Sequence, residues 1–142
     1  MLFRSIDSST DKIDDIVMEI TLYARDGIKF FVIDSRMKIK ASGDSEVLKN
    51  ADISHKLAKV AREKDIIVIL INQMSEADIK DKRLALKGGG DQKYDSDMVW
   101  FYVKDEKDLS KRKLICTKNR TKDENLWSVE LTMRDGVTVG VG

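Results

Sequence analysis

The sequence lacks several features that would assign it to a broad class of protein. Its 142 residues contain one cysteine, Cys116, which excludes an intramolecular disulfide framework and favours a reducing compartment, the cytoplasm. No apolar run approaches the length of a membrane span, so we expect no membrane partner. Lys and Arg number 26 against 25 Asp and Glu, and this balance argues against a protein that coats nucleic acid through a basic excess. What remains is a globular chain with the length of one domain.

The first half of the chain has the hydrophobic pattern of an α/β fold. Apolar residues recur at helical spacing in residues 13–24 and 46–64, which predicts two helices. The runs KFFVID (29–34) and DIIVILINQ (65–73) are continuously apolar and predict buried strands, and residues 2–6 predict a further short strand. Strand, helix and strand of this kind imply a parallel sheet with helices covering both faces.

The second half of the chain has a different pattern. A polar stretch after Gln73 leads to the glycine cluster of residues 88–90, and short apolar runs then follow at 98–103, 114–118, 126–131 and 137–139. Their short spacing predicts antiparallel hairpins, with residues 104–113 as a solvated loop. We therefore expect one partial domain over residues 1–142, with the parallel α/β part first and antiparallel strands last.

Polar side chains follow both predicted parallel strands. Asp34 comes after a buried apolar strand, which is the Walker B pattern of a magnesium-binding carboxylate at the carboxyl edge of a sheet. Its alternative role is a simple turn or helix cap. Gln73 ends the next strand, where an amide could contact a phosphate oxygen or an attacking water. Alternatively it satisfies backbone groups, and the adjacent Asn72 competes for either role.

Three segments carry a resemblance to a known family: IVILINQM, GGGDQKYDSDMVWFYVKDE and LICTKNRTK. In this order, after a KFFVID strand, they resemble the C-terminal part of the RecA-like ATPase domain of DnaB-type replicative DNA helicases. The resemblance implies a RecA-like (P-loop NTPase) fold of a parallel sheet flanked by helices. It also implies a parent hydrolase of DNA replication that binds ATP and Mg²⁺. Such a parent unwinds duplex DNA by translocating on single-stranded DNA as a hexameric ring, with primase and a helicase loader as further partners.

The resemblance also implies roles for individual residues. Asp34 would hold the Mg²⁺ of the bound ATP, and Gln73 would couple the nucleotide state to DNA. Lys118 and Arg120 would reach the nucleotide of the adjacent subunit as catalytic fingers. Residues 75–93, hereafter the DNA segment, would contact single-stranded DNA. Its candidate contact residues are Lys80, Lys82, Arg83, Lys87, Gly88, Gly89, Gly90 and Lys93.

One motif that the resemblance leads us to expect is missing. The sequence contains no GxxxxGK[ST] loop to hold the phosphates of ATP, and the water-activating glutamate of the family would also precede this chain. We therefore predict that the chain alone neither binds ATP tightly nor hydrolyses it. Residues 35–39, SRMKI, also depart from the family pattern. A RecA- or RadA-type recombinase core and a non-catalytic RecA-like binding module from a mobile element remain the alternatives.

Three other residue types have simpler interpretations. His55 is the single histidine and has no visible ligand partner, so a surface or packing role is expected. Cys116 lies within a strand pattern and is expected to be buried and inert. Trp100 and Trp127 are expected to pack against a core or a sheet edge, with base stacking as the alternative.

Overall fold

The computed structural model describes residues 10–74, 79, 84, 90–105, 107–120, 127–134 and 137–140. The chain divides into two compact units, Met1–Asp95 and Ser96–Gly142. The first contains a parallel sheet with helices and the second an antiparallel sheet, which is the predicted order. That residues 1–142 form one partial domain stays a prediction, and the strand expected at residues 2–6 lies outside the described residues.

The helices and strands have the following bounds. The first unit contains α1 (Ile13–Arg25), β1 (Phe30–Ile33), a 3₁₀ turn (Arg36–Lys38), α2 (Glu46–Lys64), β2 (Ile67–Leu70) and α3 (Gly90–Asp95). The second unit contains β3 (Met98–Lys104), β4 (Lys111–Asn119), β5 (Ser128–Arg134) and β6 (Val137–Gly140).

Helix α2 has the predicted bounds because both of its ends carry local stop signals. Ser45 is the N-cap, and its Oγ accepts a hydrogen bond from the Leu48 backbone N–H at 3.3 Å. Asp65 closes the other end in the left-handed conformation, with φ of 50°. The helix buries Ile53, Leu57 and Val60 on its inner side.

The core of the first unit forms where α1 and α2 meet the sheet. Its seven buried residues are Ile13, Ile20, Ile39, Ile53, Leu57, Val60 and Ile66. Lys56 joins the two helices outside this core, since its Nζ lies 2.7 Å from Asp14 Oδ1 and 3.1 Å from Asp52 Oδ2. Hydrogen bonding to Asp14, and secondarily to Asp52, raises the pKa of Lys56.

Strands β1 and β2 pair in parallel, from Phe30 opposite Ile67 to Ile33 opposite Leu70. One face of this sheet packs on the core through Phe31, Ile33, Val68 and Leu70. The other face, hereafter the open face, consists of Phe30, Val32, Ile67, Ile69 and the following Ile71, whose exposed fractions run from 42% to 59%. Helices were expected on both faces, whereas the described part of the unit covers one face only.

Helix α3 replaces a predicted loop. Gly90 was expected in a DNA-contacting loop, but it is the first residue of this helix. Two tertiary contacts explain the difference: the buried Gln92 accepts a hydrogen bond from Asn72 Nδ2 at 2.9 Å, and Asp95 Oδ2 accepts one from Ser54 Oγ at 2.6 Å. Six residues carry too little periodicity to predict such a helix from sequence.

The second unit is an antiparallel sheet in the order β3-β4-β5-β6, as the strand spacing predicted. Strand β4 begins at Lys111, so the connection between β3 and β4 is shorter than the expected loop of residues 104–113. Asp105 shapes this turn, because its Oδ1 accepts hydrogen bonds from the backbone N–H groups of Lys107 and Asp108 at 2.9 and 3.0 Å.

A cross-strand row of Trp100, Cys116 and Trp127 lies in the same sheet. Trp100 is the register partner of Cys116, whose backbone N–H donates to the Trp127 carbonyl at 2.9 Å. The two indole rings meet edge to face, with centroids 4.6 Å apart and planes at 88°. Cys116 is fully buried, as expected. Trp100 and Trp127 pack against each other, and Trp127 is 41% exposed.

Candidate functional site

Asp34 lies directly after β1, at the carboxyl end of the parallel sheet, and its side chain is exposed. The backbone on either side of it is bonded to the end of the neighbouring strand. Ile71 N–H donates to the Ile33 carbonyl at 3.0 Å, and Arg36 N–H donates to the Ile71 carbonyl at 2.9 Å. The Asp34–Ser35 peptide bond is cis. The two backbone hydrogen bonds to Ile71 hold Asp34 at the edge where α/β sheets bind ligands.

Asn72 and Gln73 follow β2 at the same edge, because the two strands are parallel neighbours. The side chain of Gln73 is exposed, whereas Asn72 is half-buried. Asn72 Oδ1 accepts a hydrogen bond from the Gln73 backbone N–H at 2.8 Å, and Asn72 Nδ2 donates to Gln92 Oε1 at 2.9 Å. From the sequence, either amide could contact a phosphate oxygen or an attacking water. Their surroundings differ, because Gln73 faces solvent and Asn72 makes internal contacts.

Arg36 is a buried cation close to Asp34 that sequence reasoning missed. It is 5% exposed, and its Nη2 lies 3.3 Å from Glu46 Oε2 at the start of α2. Its buried Nε has no hydrogen-bond partner within the part of the chain that the structure describes. The pair ties the turn after β1 to α2. An arginine three residues after the end of a strand ordinarily indicates a surface residue, so no sequence pattern pointed to this burial.

The DNA segment is described only in part. Lys80, Lys82, Arg83, Lys87, Gly88 and Gly89 lie outside the described residues. Gly90 and Lys93 belong to α3, and the side chain of Lys93 is exposed. The DNA-contacting role of all eight residues therefore stays a prediction.

Lys118 and Arg120 lie at the end of β4 in the second unit. Lys118 is half-buried and is the register partner of Val99, and Arg120 is the first residue after the strand's end at Asn119. Arg120 Nη1 lies 3.2 Å from Asp97 Oδ1. Residues two apart on an extended chain share a face, so the spacing of the two predicted fingers is suited to a common target.

The described residues also contain a shallow surface pocket between α2 and α3. It has a volume of about 410 Å³ and is lined by Ala51, Asp52, His55, Tyr94 and Asp95. His55 is exposed there, as expected for a surface residue.

No group of three or more His, Cys, Asp or Glu side chains that could hold a metal ion occurs among the described residues. A lone carboxylate such as Asp34 suits Mg²⁺, which is usually held by one or two carboxylates together with phosphates and water.

Comparison with known proteins places this arrangement in a family. The family model described as the DnaB-like helicase C-terminal domain matches residues 4–138. The chain belongs to the DnaB-like helicase family. This result agrees with the resemblance found in the sequence. A comparison with curated protein sequences gave no match.

Solved structures support the RecA-like fold of this DnaB-like chain. A solved ATPase domain matches with a TM-score of 0.82 and 24% identity, over 96% of this chain and 54% of the other. A structure described as a DnaB-like replicative helicase and its interactions with primase also matches with a TM-score of 0.82 and 24% identity. That match covers 96% of this chain and 37% of the other, so the chain spans about half or less of the length of these relatives. None of the helices in the described ranges combines the length and the apolar composition that a membrane span requires.

Proposed function

We propose that this chain is part of the motor of an ATP-dependent replicative DNA helicase, which works as a hexameric ring and unwinds duplex DNA by translocating on single-stranded DNA. The observation that carries the proposal is the family match over residues 4–138, together with Asp34 and Gln73 at the ends of paired parallel strands. ATP with Mg²⁺ is the proposed cofactor, and primase and a helicase loader are the proposed further partners.

The proposed role of Asp34 follows from its position and chemistry. It is an exposed carboxylate whose backbone neighbours are bonded to the end of β2. This attachment would hold the backbone of Asp34 at the sheet edge, from which its carboxylate could serve as a ligand for Mg²⁺. When bound, Mg²⁺ would neutralise charge on the phosphates of ATP.

Gln73 is proposed to respond to the nucleotide from the adjacent strand. Its amide can donate to a phosphate oxygen and accept from a water, and its exposure leaves both groups accessible. The DNA segment begins two residues after Gln73. A displacement of Gln73 would therefore act on the backbone at the start of that segment. Lys118 and Arg120 are proposed to act on the ATP of a neighbouring subunit by stabilising charge on the leaving phosphates.

The isolated chain is proposed to be inactive. A phosphate-binding loop supplies several backbone N–H groups and a lysine, and neither an aspartate nor a glutamine can replace them. The family match to DnaB-like helicases supports the helicase over the recombinase alternative.

The experiment compares ATP hydrolysis by the full-length protein with that of three variants, Asp34→Ala, Gln73→Ala and Arg120→Ala. We expect all three to lose activity that depends on single-stranded DNA, and nucleotide titration of the isolated 142-residue chain to give no tight binding. Micromolar affinity of the isolated chain would contradict the predicted inactivity. A full-length protein that hydrolyses no ATP would instead indicate the non-catalytic binding module.

A further inference from the structure

The side chain of Asn72 connects the end of β2 to helix α3. Its Oδ1 accepts the backbone N–H of Gln73 at 2.8 Å, and its Nδ2 donates to Gln92 Oε1 at 2.9 Å. Both ends of this one amide are therefore engaged, and its orientation is determined by the two contacts.

The hydrogen bond between Asn72 and Gln92 lies in a buried environment, where its loss would destabilise the structure. Gln92 is 4% exposed and Asn72 is half-buried, so a group that lost its partner there would be poorly hydrated. A second bond holds the same helix to α2, because Ser54 Oγ donates to Asp95 Oδ2 at 2.6 Å. Helix α3 is thus attached to α2 through Ser54 and to the end of β2 through Asn72. Of these two bonds, the one from Asn72 involves the neighbour of Gln73.

The contact between Asn72 and Gln92 joins the two ends of the DNA segment. Asn72 and Gln73 lie just before it, separated from it by Met74, and α3 contains its last residues, including Lys93. A displacement of the backbone at Gln73 would change the position of Asn72, to which it is hydrogen-bonded. Through Gln92 that displacement would then act on α3 and on the downstream end of the DNA segment.

We propose that Asn72 and Gln92 are positioning residues that couple Gln73 to both ends of the DNA segment, so that nucleotide state alters the grip on single-stranded DNA. The inference rests on the proposed function, in which Gln73 responds to nucleotide and the DNA segment contacts DNA. It assigns roles to two residues that the family resemblance did not implicate as a pair. The link consists of contiguous contacts whose loss should weaken coupling between the sites.

The test uses the full-length protein and measures ATP hydrolysis without DNA and with saturating single-stranded oligo(dT). In Gln92→Leu, which removes the acceptor but keeps most of the volume, we expect the ratio of stimulated to basal rate to fall about threefold to tenfold. Asn72→Ala should lower the ratio by a similar factor. The two changes combined should lower it no further than either alone, because they break one link.

The matched control is Ser54→Ala, which removes the hydrogen bond from α2 to Asp95 of α3 and leaves Asn72, Gln92 and Gln73 in place. We expect it to leave both the basal rate and the ratio close to those of the wild type. An equal fall of the ratio in Ser54→Ala would overturn the proposal, since general loosening of α3 would then explain the effect. Unfolding temperature and ring assembly are measured for each variant, and if Gln92→Leu does not fold, Asn72→Ala alone decides.

Failure of this inference can be distinguished from failure of the proposed function. If the wild type is stimulated by oligo(dT) and Gln92→Leu keeps the full ratio, the coupling role is wrong and the helicase proposal stands. If the wild type shows no ATP hydrolysis at all, the proposed function and the inference fall together.

Discussion

Arg120 and Asp97 face each other at the open end of the β3–β4 hairpin, one step beyond the last register pair, Met98 and Asn119. The Arg120 backbone N–H donates to the Asp97 carbonyl at 2.8 Å, and Arg120 Nη1 lies 3.2 Å from Asp97 Oδ1. Both side chains are at least half exposed, so the ion pair itself stabilises the sheet by at most about 1 kcal/mol.

The weakness of this pair makes Arg120 a suitable residue for testing the finger assignment. Arg120→Ala should change the free energy of unfolding by about 1 kcal/mol or less. In the full-length protein it should nevertheless lower kcat for ATP by about 10³-fold or more, the scale of an arginine finger. Arg25→Ala, an exposed arginine in the last turn of α1, is the control for loss of positive charge. Full activity of Arg120→Ala would show that the finger assignment is wrong.

The open face predicts self-association of the isolated 142-residue chain. Five apolar residues with exposed fractions of 42–59% form one side of a parallel sheet, and sheets of this kind are normally covered on both faces. Sedimentation velocity should show dimers or larger species, and Ile69→Lys should shift the distribution toward monomer. Val47→Lys, at an exposed apolar position on α2, should leave the distribution unchanged. A monomeric wild-type chain would contradict this prediction.

The β3–β4 turn should weaken in acid. Backbone hydrogen bonds from Asp108 first, and from Lys107, lower the pKa of Asp105 below 3.8. A lowered carboxyl pKa stabilises the fold above its value in the unfolded chain, and this contribution is lost as pH falls through the value in the folded chain. The unfolding temperature should therefore decline as the pH falls below about 4, and less steeply in Asp105→Ala. Asp44→Ala, which removes another exposed carboxylate, is the control; equal slopes for wild type and Asp105→Ala would refute the account of the turn.

The free energy of unfolding should depend more on one buried side chain of helix α2 than on the exposed apolar residues of the same helix. Ile53 is 0% exposed, so Ile53→Ala should destabilise the chain by about 2–5 kcal/mol in urea unfolding. Val47→Ala on the same helix is 53% exposed and should change stability by about 0.5 kcal/mol or less. Similar losses in both variants would mean that the core is misassigned.

The elements that sequence could predict are those whose signals are local. Helix α2 has an N-cap serine and regular apolar spacing, so its bounds matched the prediction. The strands before Asp34 and Gln73 were evident from continuous apolar residues. Helix α3 was not predicted, because its position depends on Gln92 and Asp95, whose partners are distant in sequence.

The candidate site follows the same division. The positions of Asp34 and Gln73 at one sheet edge follow from parallel pairing, which the pattern predicted. The burial of Arg36 against Glu46 and the bond from Asn72 to Gln92 depend on how separate elements pack, and no spacing rule indicates them. The roles of Lys118 and Arg120 stay predictions that rest on the resemblance.

The most direct test of the central claim is the rate of ATP hydrolysis by the full-length protein in saturating single-stranded DNA, compared between wild type and Asp34→Asn. The exchange keeps the size of the side chain and removes the charge proposed to hold Mg²⁺. We expect Asp34→Asn to lower kcat by about 100-fold or more, because a bound metal ion contributes several kcal/mol of charge stabilisation, while its unfolding temperature stays that of the wild type. A wild-type rate in Asp34→Asn would contradict the account.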